Sequence, residues 1–527
     1  MQPHDRATAE GILLTDQYQL SMAQLYFREG LHTRPAQFDY FFRSYPDYGM
    51  HQAGYAVTAG LEWLLDWMEQ SSFDASVIEL LRSKTTSTGK PFYDETFLEW
   101  LSEHGDLGSI VMRAVPEGRV VHANAPVAVV EGPLIMGQIL ETSLLNHLNY
   151  PTLIATKASR MVGAARGGPV LEFGVRRGPG SGSNAGARAA MIGGAAFTSN
   201  VGISQVLGYD PKGTHAHSMV QAYMAVGAGE LEAFRAFARS YPDDCVLLVD
   251  TIDTLDSGVP NAITVFKELR VAGHEPIGIR LDSGDLAYLA IRSARELNRA
   301  GFDQCQIVLS SNLDELAIWQ ILSQIDAEAS RYGVDPKALI ARLVYGVGTR
   351  LITSAGHAAL DGVYKLAAIE NDGEWAPAIK VSENPEKVPT PGDKRVWRVY
   401  DNRGLATADV ITQSDEDPAA STSMQLFHPH RPGSHRTLRQ ADISGLEPLH
   451  ADVLAKGERL AGRPSIDEMR ARRQADLDRL DPGVRRLINP HVYHVSLSAK
   501  TKALQSELVT RARETARDVA DPQLSEP

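Results

Sequence analysis

The sequence predicts an α/β protein organised around parallel strands, and three observations predict it. In the middle third, short apolar runs recur, each ending in polar or glycine residues and each followed by a helix-like stretch. That is the strand-then-helix alternation of a parallel sheet. Four of the runs end at Asp250, Asp282, Ser310 and Gly346, at spacings of 32, 28 and 36 residues. About thirty residues is the length of one strand, crossover helix and loop. The runs are also unbroken by polar residues, as suits strands covered on both faces. A barrel and a doubly wound sheet satisfy these observations equally.

Along the chain, Gln17 to Glu29 and Ala56 to Glu69 carry helical periodicity, whereas Ala36 to Phe42 and Ile110 to Ala114 read as strands. An N-terminal α+β domain over residues 1–145 is expected. Residues 146–405 hold the repeating strand and helix units. Within them the helix after Asp282 is well marked, with Ser283 as its N-cap and Asp285 in its first turn. Leu286, Leu289, Ala290, Ala294 and Leu297 lie along one side, and Gly301 terminates it. Residues 406–527 turn polar and form a C-terminal extension with helices from Ser465 to Leu480 and from Ala499 to Val519. The first alternates charge sign and reads as a solvated helix face. The last few residues read as a disordered tail.

Composition narrows the function classes. A chain of 527 residues is too long for a single core of ordinary size, and its 43% hydrophobic and 22% charged residues match folded chains rather than disordered ones. A net charge of −13 opposes general attraction to nucleic acid or anionic lipid. The two cysteines, Cys245 and Cys305, sit in apolar runs and make no disulfide framework, which fits a reducing compartment. The N-terminus lacks a signal peptide's basic start and apolar stretch, and no window has the length of a membrane span. A cytoplasmic protein is expected.

Three glycine-flanked polar clusters stand at the predicted strand ends: Phe173 to Gly178, Arg280 to Asp285, and Gly346 to Arg350. Any one of them is also what a simple backbone turn requires. Together they offer backbone donors, guanidinium groups for phosphate, and a carboxylate for ribose hydroxyls or a metal. A phosphorylated sugar suits that combination. The stretch Thr214-His215-Ala216-His217 adds a His-x-His pair, whose imidazoles share one face of an extended segment. The pair can be read as metal ligands, as structural histidines, or as a nucleophile oriented by Asp250 or Asp253. His428, His430 and His435 lie in a proline-rich loop and read as solvated.

Taken in order, these clusters and others resemble the nicotinate phosphoribosyltransferase family. The similarity runs from Leu14 to Met22 and Phe38 to Arg43, through Glu172 to Arg177, Gly213 to Ser218, Arg280 to Asp285 and Gly346 to Thr349. It continues into Asp361 to Leu366 and Arg485 to His491. The resemblance implies an irregular, TIM-like α/β barrel of the type II phosphoribosyltransferases, an N-terminal α+β domain, and a C-terminal extension packing on that domain. It implies a homodimer with shared active sites. The implied reaction joins nicotinate to phosphoribosyl pyrophosphate, giving nicotinate mononucleotide and pyrophosphate in NAD salvage, with ATP as co-substrate and Mg²⁺ held mainly by the pyrophosphate.

Carried over by residue, the resemblance makes His217 a histidine phosphorylated by ATP and Asp250 the carboxylate that holds its imidazole. Phe173, with Tyr18 from a second subunit, resembles the aromatic pair around the pyridine ring. Thr214 and Arg280 resemble nicotinate contacts, and Arg176, Asp282, Gly348 and Thr349 resemble contacts to phosphoribosyl pyrophosphate. Asp282 is also implied in the catalytic step. The pyridine nitrogen already carries a free lone pair at neutral pH, so no protein base is needed and no triad or carboxylate pair is required. The alternatives are a nicotinamide-preferring phosphoribosyltransferase, a sugar-phosphate barrel lyase, and a non-catalytic nucleotide-binding sensor, which would tolerate loss of His217 or Asp282. The lyase normally needs a Schiff-base lysine or a metal triad, and neither stands at a strand end.

Overall fold

The computed structural model describes residues 3–382, 387–420, 422–431 and 433–520. The tail expected to be disordered falls on 521–527, outside them. The chain divides into two compact units, Met1–Thr152 with Ala359–Pro527, and Leu153–Ala358.

The second unit is the barrel. Its six strands are parallel, in the order Phe197–Thr198, Val170–Glu172, Leu343–Val347, Gln306–Ser310, Gly278–Leu281, Val246–Leu248. The earliest of these strands, Val170–Glu172, pairs with the last, Leu343–Val347, so the sheet runs round on itself. A seam is left only between Phe197–Thr198 and Val246–Leu248. The four strand ends expected from the sequence belong to four adjacent strands of this array. Helices Val259–Val271, Leu286–Arg299 and Glu315–Glu328 connect them. In Leu286–Arg299 the expected face is buried, including Leu286, Ala290, Ala294 and Leu297, and Gly301 follows it at φ +81°. Its N-cap is Asp285, whose carboxylate accepts from the Tyr288 amide, and not Ser283, whose hydroxyl is used elsewhere. The inward side chains are small, chiefly Val246, Val308 and Val344, and leave a cavity of about 300 Å³ that reaches up to Phe173 and Thr214.

Among the described residues the first unit contains two large sheets and a short two-stranded one. In one, seven antiparallel strands run in the order Glu374–Pro377, Gly362–Asn371, Pro35–Phe42, Ala128–Pro133, Val111–Ala114, Ala451–Ala455, Glu458–Arg459. The strand Pro35–Phe42 is an interior strand, third in that order, and is buried along nearly its whole length. This sheet moves a boundary. The barrel was expected to extend to residue 405, but Gly362–Asn371 pairs with Pro35–Phe42 from Phe42↔Gly362 to Ala36↔Ile369, which draws the chain after 358 into the first unit. Strand Ala451–Ala455 pairs with Val111–Ala114, so the C-terminal extension and the N-terminal part lie in one compact unit.

Two local expectations also change. The segment from Ala56 begins as a short strand, Ala56–Val57, paired with Val120–Val121, and the helix is Leu61–Gln70. The helix Ile466–Asp478 is capped by Ser465 and Glu468 in a reciprocal box, yet it is not simply solvated. Asp476 is buried and accepts from the Arg119 guanidinium at 2.8 Å and the Val120 amide at 2.7 Å. The second sheet takes Lys394–Asp401 from the end of the segment expected to be barrel and Ala406–Gln413 from the polar C-terminal region, whose expected elements are helices alone. Among the described residues no helix is long and apolar enough to cross a membrane.

Candidate active site

In a parallel barrel, loop amides, helix N-termini and polar strand ends converge at the C-terminal edge of the strands. Asp250 stands just beyond the strand Val246–Leu248, with its side chain only 2% exposed. Its Oδ1 lies 3.1 Å from His217 Nε2. Its Oδ2 accepts from the Asp282 amide at 3.1 Å and from Ser283 Oγ at 2.5 Å. His217 opens the helix His217–Ala225 and its side chain is 36% exposed. A carboxylate at Nε2 fixes the ring's orientation and leaves Nδ1 as the nitrogen with the available lone pair.

Arg280, inside the strand Gly278–Leu281, is held from three directions. Nε donates to Ser310 Oγ at 2.8 Å, Nη1 to Thr214 Oγ1 at 3.3 Å, and Nη2 to Asp282 Oδ1 at 3.0 Å. A guanidinium has five N–H bonds, so one remains on each terminal nitrogen, a pair suited to a carboxylate. The single Ser310 hydroxyl hydrogen goes to Asp282 Oδ1, with the Leu281 carbonyl 3.2 Å from the same oxygen, which ties the loop between these strands. Phe173 faces the same space, with the Arg280 guanidinium carbon 5.6 Å from its ring centroid.

The glycines at Phe173 are explained by approach rather than by turning. A Cβ on Gly346 would stand 2.5 Å from Phe173 Cε2, so the ring occupies the volume that any other residue there would fill. Gly348 lies against the Phe173 carbonyl in the same way, at 3.2 Å. Arg176 follows on the short helical turn Val175–Arg177 and is exposed, as is Thr349 at the start of Thr349–Ile352.

The structure thus gathers His217, Asp250, Asp282, Thr214, Arg280 and Phe173 in one region of the barrel unit, with Gly348 behind Phe173. Tyr18 belongs to the other unit, half exposed on the helix Gln17–Arg28. Asp253 caps the following helical turn through the Leu255 and Asp256 amides and does not hold a histidine. Ser310 and Ser283 were not foreseen as site residues. The only signal for Ser310 was its place as the polar end of an apolar run.

The two histidines of the pair have separate surroundings. His215 Nε2 accepts the Leu248 amide at 3.1 Å, and the ring packs against Phe237. Its lone pair is therefore occupied, which disfavours the metal-ligand reading of the pair. Among the described residues no group of three or more His, Cys, Asp or Glu is arranged to hold a metal ion. Of the later histidines, His428 is half-buried and its Nδ1 caps the turn through the His430 and Arg431 amides. Cys245 and Cys305 are buried thiols, pushed up to about 12 and about 11 by desolvation.

Comparison with known proteins bears on the family. Residues 13–149 match the family model described as the nicotinate phosphoribosyltransferase N-terminal domain, and residues 393–505 match the C-terminal domain model. The chain is 40% identical over 493 residues to a nicotinate phosphoribosyltransferase of Bacillus subtilis, covering 92% of each. It is 32% identical to the human nicotinate phosphoribosyltransferase over 564 residues, covering 96% of this chain and 98% of the relative. The crystal structure of human nicotinic acid phosphoribosyltransferase superposes with a TM-score of 0.76 at 29% identity, covering 94% of this chain and 100% of the other. Similarity of this extent, over a barrel edge that brings together a histidine–aspartate pair, a tethered arginine and a ring-facing phenylalanine, places the chain in the nicotinate phosphoribosyltransferase family.

Proposed function

We propose that the protein joins nicotinate to phosphoribosyl pyrophosphate, releasing nicotinate mononucleotide and pyrophosphate, and that His217 couples this transfer to ATP hydrolysis. The observation that carries the reading is the pairing of two devices on adjacent strand ends. Arg280 keeps two guanidinium N–H bonds for an anionic substituent, and His217 keeps Nδ1 open while Asp250 holds Nε2.

The nicotinate ring lies against Phe173 with its carboxylate on Arg280. Its nitrogen lone pair attacks the anomeric carbon of the sugar. The new carbon–nitrogen bond forms as the carbon–oxygen bond to pyrophosphate breaks, and the electron pair leaves with pyrophosphate. Positioning and charge stabilisation are then the whole task of the protein. Asp282 is placed for the ribose hydroxyls, because its Oδ1 is taken by Arg280 and Ser310 while its Oδ2 accepts from no described residue. That open oxygen also fits a Mg²⁺ ion carried mainly by pyrophosphate, which supplies neutralisation of the departing charge when bound. Arg176, Gly348 and Thr349 line the phosphate side. Tyr18 of a second copy completes the aromatic pair in a homodimer.

In the coupled half-reaction, His217 Nδ1 attacks the γ-phosphorus of ATP. The nitrogen–phosphorus bond forms, the bridging bond breaks, and ADP departs with the electron pair. Asp250 holds the Nε2 proton and stabilises the cationic ring as it develops. Phosphate on His217 adds negative charge beside the pyrophosphate position, which alters substrate affinity and so links hydrolysis to transfer. The Arg280 fork favours the acid over the neutral amide. This reading places the enzyme in NAD salvage in the cytoplasm.

Product formation from nicotinate or nicotinamide, with phosphoribosyl pyrophosphate and Mg²⁺ and with or without ATP, tests the reading. Nicotinate mononucleotide rising with ATP and ADP release is expected. Product from nicotinamide alone would transfer the assignment to an amide-specific enzyme.

A further inference from the structure

The barrel seam between Phe197–Thr198 and Val246–Leu248 is crossed by the extended chain from Lys212 to Ala216. On one flank the tie is made by main chain, the Lys212 amide donating to the Thr198 carbonyl at 3.0 Å. On the other flank it is made by a side chain, the Leu248 amide donating to His215 Nε2 at 3.1 Å. In a complete parallel ladder that amide would meet a neighbouring strand's carbonyl, and leaving it unmet in the interior is costly. Two residues further along both segments, His217 Nε2 meets Asp250 Oδ1, also at 3.1 Å. The two imidazoles thus repeat with the two-residue period of extended chain, and the register of the first contact sets that of the second.

We propose that His215 is a positioning residue: its imidazole stands in for the absent strand's carbonyl, closes the seam at Leu248, and thereby keeps His217 in register with Asp250. Nε2 can accept an amide only in the neutral ring with its proton on Nδ1, and Nδ1 lies 3.4 Å from the Ala216 carbonyl. Phe237 and Phe234 pack on the ring, with centroids at 4.9 and 6.2 Å. Arg280 and His217 are the charged or titratable groups that act on it. Burial above all, with these two groups adding to it, drives its pKa down to about 4. The neutral form is thereby secured through the pH range in which His217 would act.

The consequence for phosphorylation rests on the reading of His217 given above, and the test separates the two. His215→Phe keeps a ring against Phe234 and Phe237 but gives Leu248 no acceptor, whereas His215→Gln restores an acceptor through its amide oxygen. Thermal unfolding establishes that both variants fold. Phosphate transfer from ATP to His217 is expected to slow about 10²-fold in the phenylalanine variant, the scale of an ångström-sized misplacement, and to recover largely in the glutamine variant. Nitrogen-15 resonances of labelled histidines should show the wild-type His215 with its proton on Nδ1, titrating near pH 4 rather than near 6.5. Wild-type transfer rates in His215→Phe, or a proton on His215 Nε2, would overturn the proposal. If the wild-type protein takes no phosphate from ATP, the acceptor role of His217 fails, and the His217 resonances decide alone. They must shift in His215→Phe and return in His215→Gln, and indifference to both changes overturns the proposal.

Discussion

Replacing Asp250 by asparagine changes one atom and reverses one hydrogen bond. The Oδ2 side of Asp250 receives two donors, the Asp282 amide at 3.1 Å and Ser283 Oγ at 2.5 Å, so the asparagine oxygen takes that position and its NH₂ group faces His217. The NH₂ donates to Nε2, which moves the imidazole proton to Nδ1 and removes the lone pair that the proposed phosphoryl transfer needs. Restoring that lone pair would point the imidazole N–H at the NH₂ of the substituted amide, an unmet donor costing about 1–3 kcal/mol. The ionic hydrogen bond to the developing imidazolium, about 1.5–3 kcal/mol, is lost as well. At about 1.4 kcal/mol per decade these place the phosphorylation rate roughly 10²–10⁴-fold below wild type. Rapid-quench measurement of phosphoenzyme with γ-labelled ATP reads this directly, and slow ATP-independent transfer should survive. Phosphorylation of Asp250→Asn within a few-fold of wild type would refute the tautomer argument.

Further outcomes follow from the same contacts. Gly346→Ala puts a methyl 2.5 Å from the Phe173 ring, so the ring must move; we expect a raised KM for nicotinate and a stability loss of about 1–3 kcal/mol in denaturant titration. Arg280→Lys cannot reach Ser310, Thr214 and Asp282 together, and it should cost about tenfold or more in kcat/KM for nicotinate while narrowing discrimination against nicotinamide. Ser283→Ala removes one donor to Asp250 Oδ2, and should reduce ATP stimulation of turnover by up to about tenfold with little change in Tm. His450, whose Nε2 lies 2.8 Å from the Pro126 carbonyl, is driven down to about 4 by burial. The unfolded chain then takes the proton first, so stability is full above about pH 6.5 and falls as pH drops toward 4, by roughly 1–3 kcal/mol. His450→Gln should remove its share of that slope in unfolding measured across the interval, leaving the part due to other buried histidines such as His215, and an unchanged slope would reject the assignment.

What could be read beforehand tracks how the residues are used. Parallel strands buried on both faces leave unbroken apolar runs, so the ends at Asp250, Asp282, Ser310 and Gly346 stood out. The strand Phe197–Thr198 is two residues long and carries no period at all. The second sheet of the first unit was hidden for a different reason. Its neighbouring strands Lys394–Asp401 and Ala406–Gln413 bury a charged pair, Arg398 with Asp409, joined by two hydrogen bonds of 2.9 Å. A buried ion pair looks like a surface in a one-dimensional pattern. The same blindness affected Ser283. A serine before a helix reads as a cap, and nothing local shows that Asp285 fills that role while the serine turns toward a carboxylate just beyond the preceding strand.

The arrangement around that carboxylate also says why the two halves of the proposed reaction can be linked without a large conformational device. Asp250 Oδ1 holds His217, the group assigned to ATP, while its Oδ2 holds the backbone of Asp282 and the side chain of Ser283, the loop assigned to the phosphoribosyl group. Asp282 in turn shares Arg280 and Ser310 with the nicotinate side. One nearly buried carboxylate therefore separates the nitrogen proposed to take phosphate from the proposed ribose contacts. A change of charge on His217 alters the demand on Oδ1, and the donors on Oδ2 must answer it, because a carboxylate with three protein donors cannot rotate without giving one up. Linkage of this kind is reciprocal for binding: if phosphorylation tightens the sugar phosphate, the bound sugar phosphate must favour the phosphorylated form by the same factor.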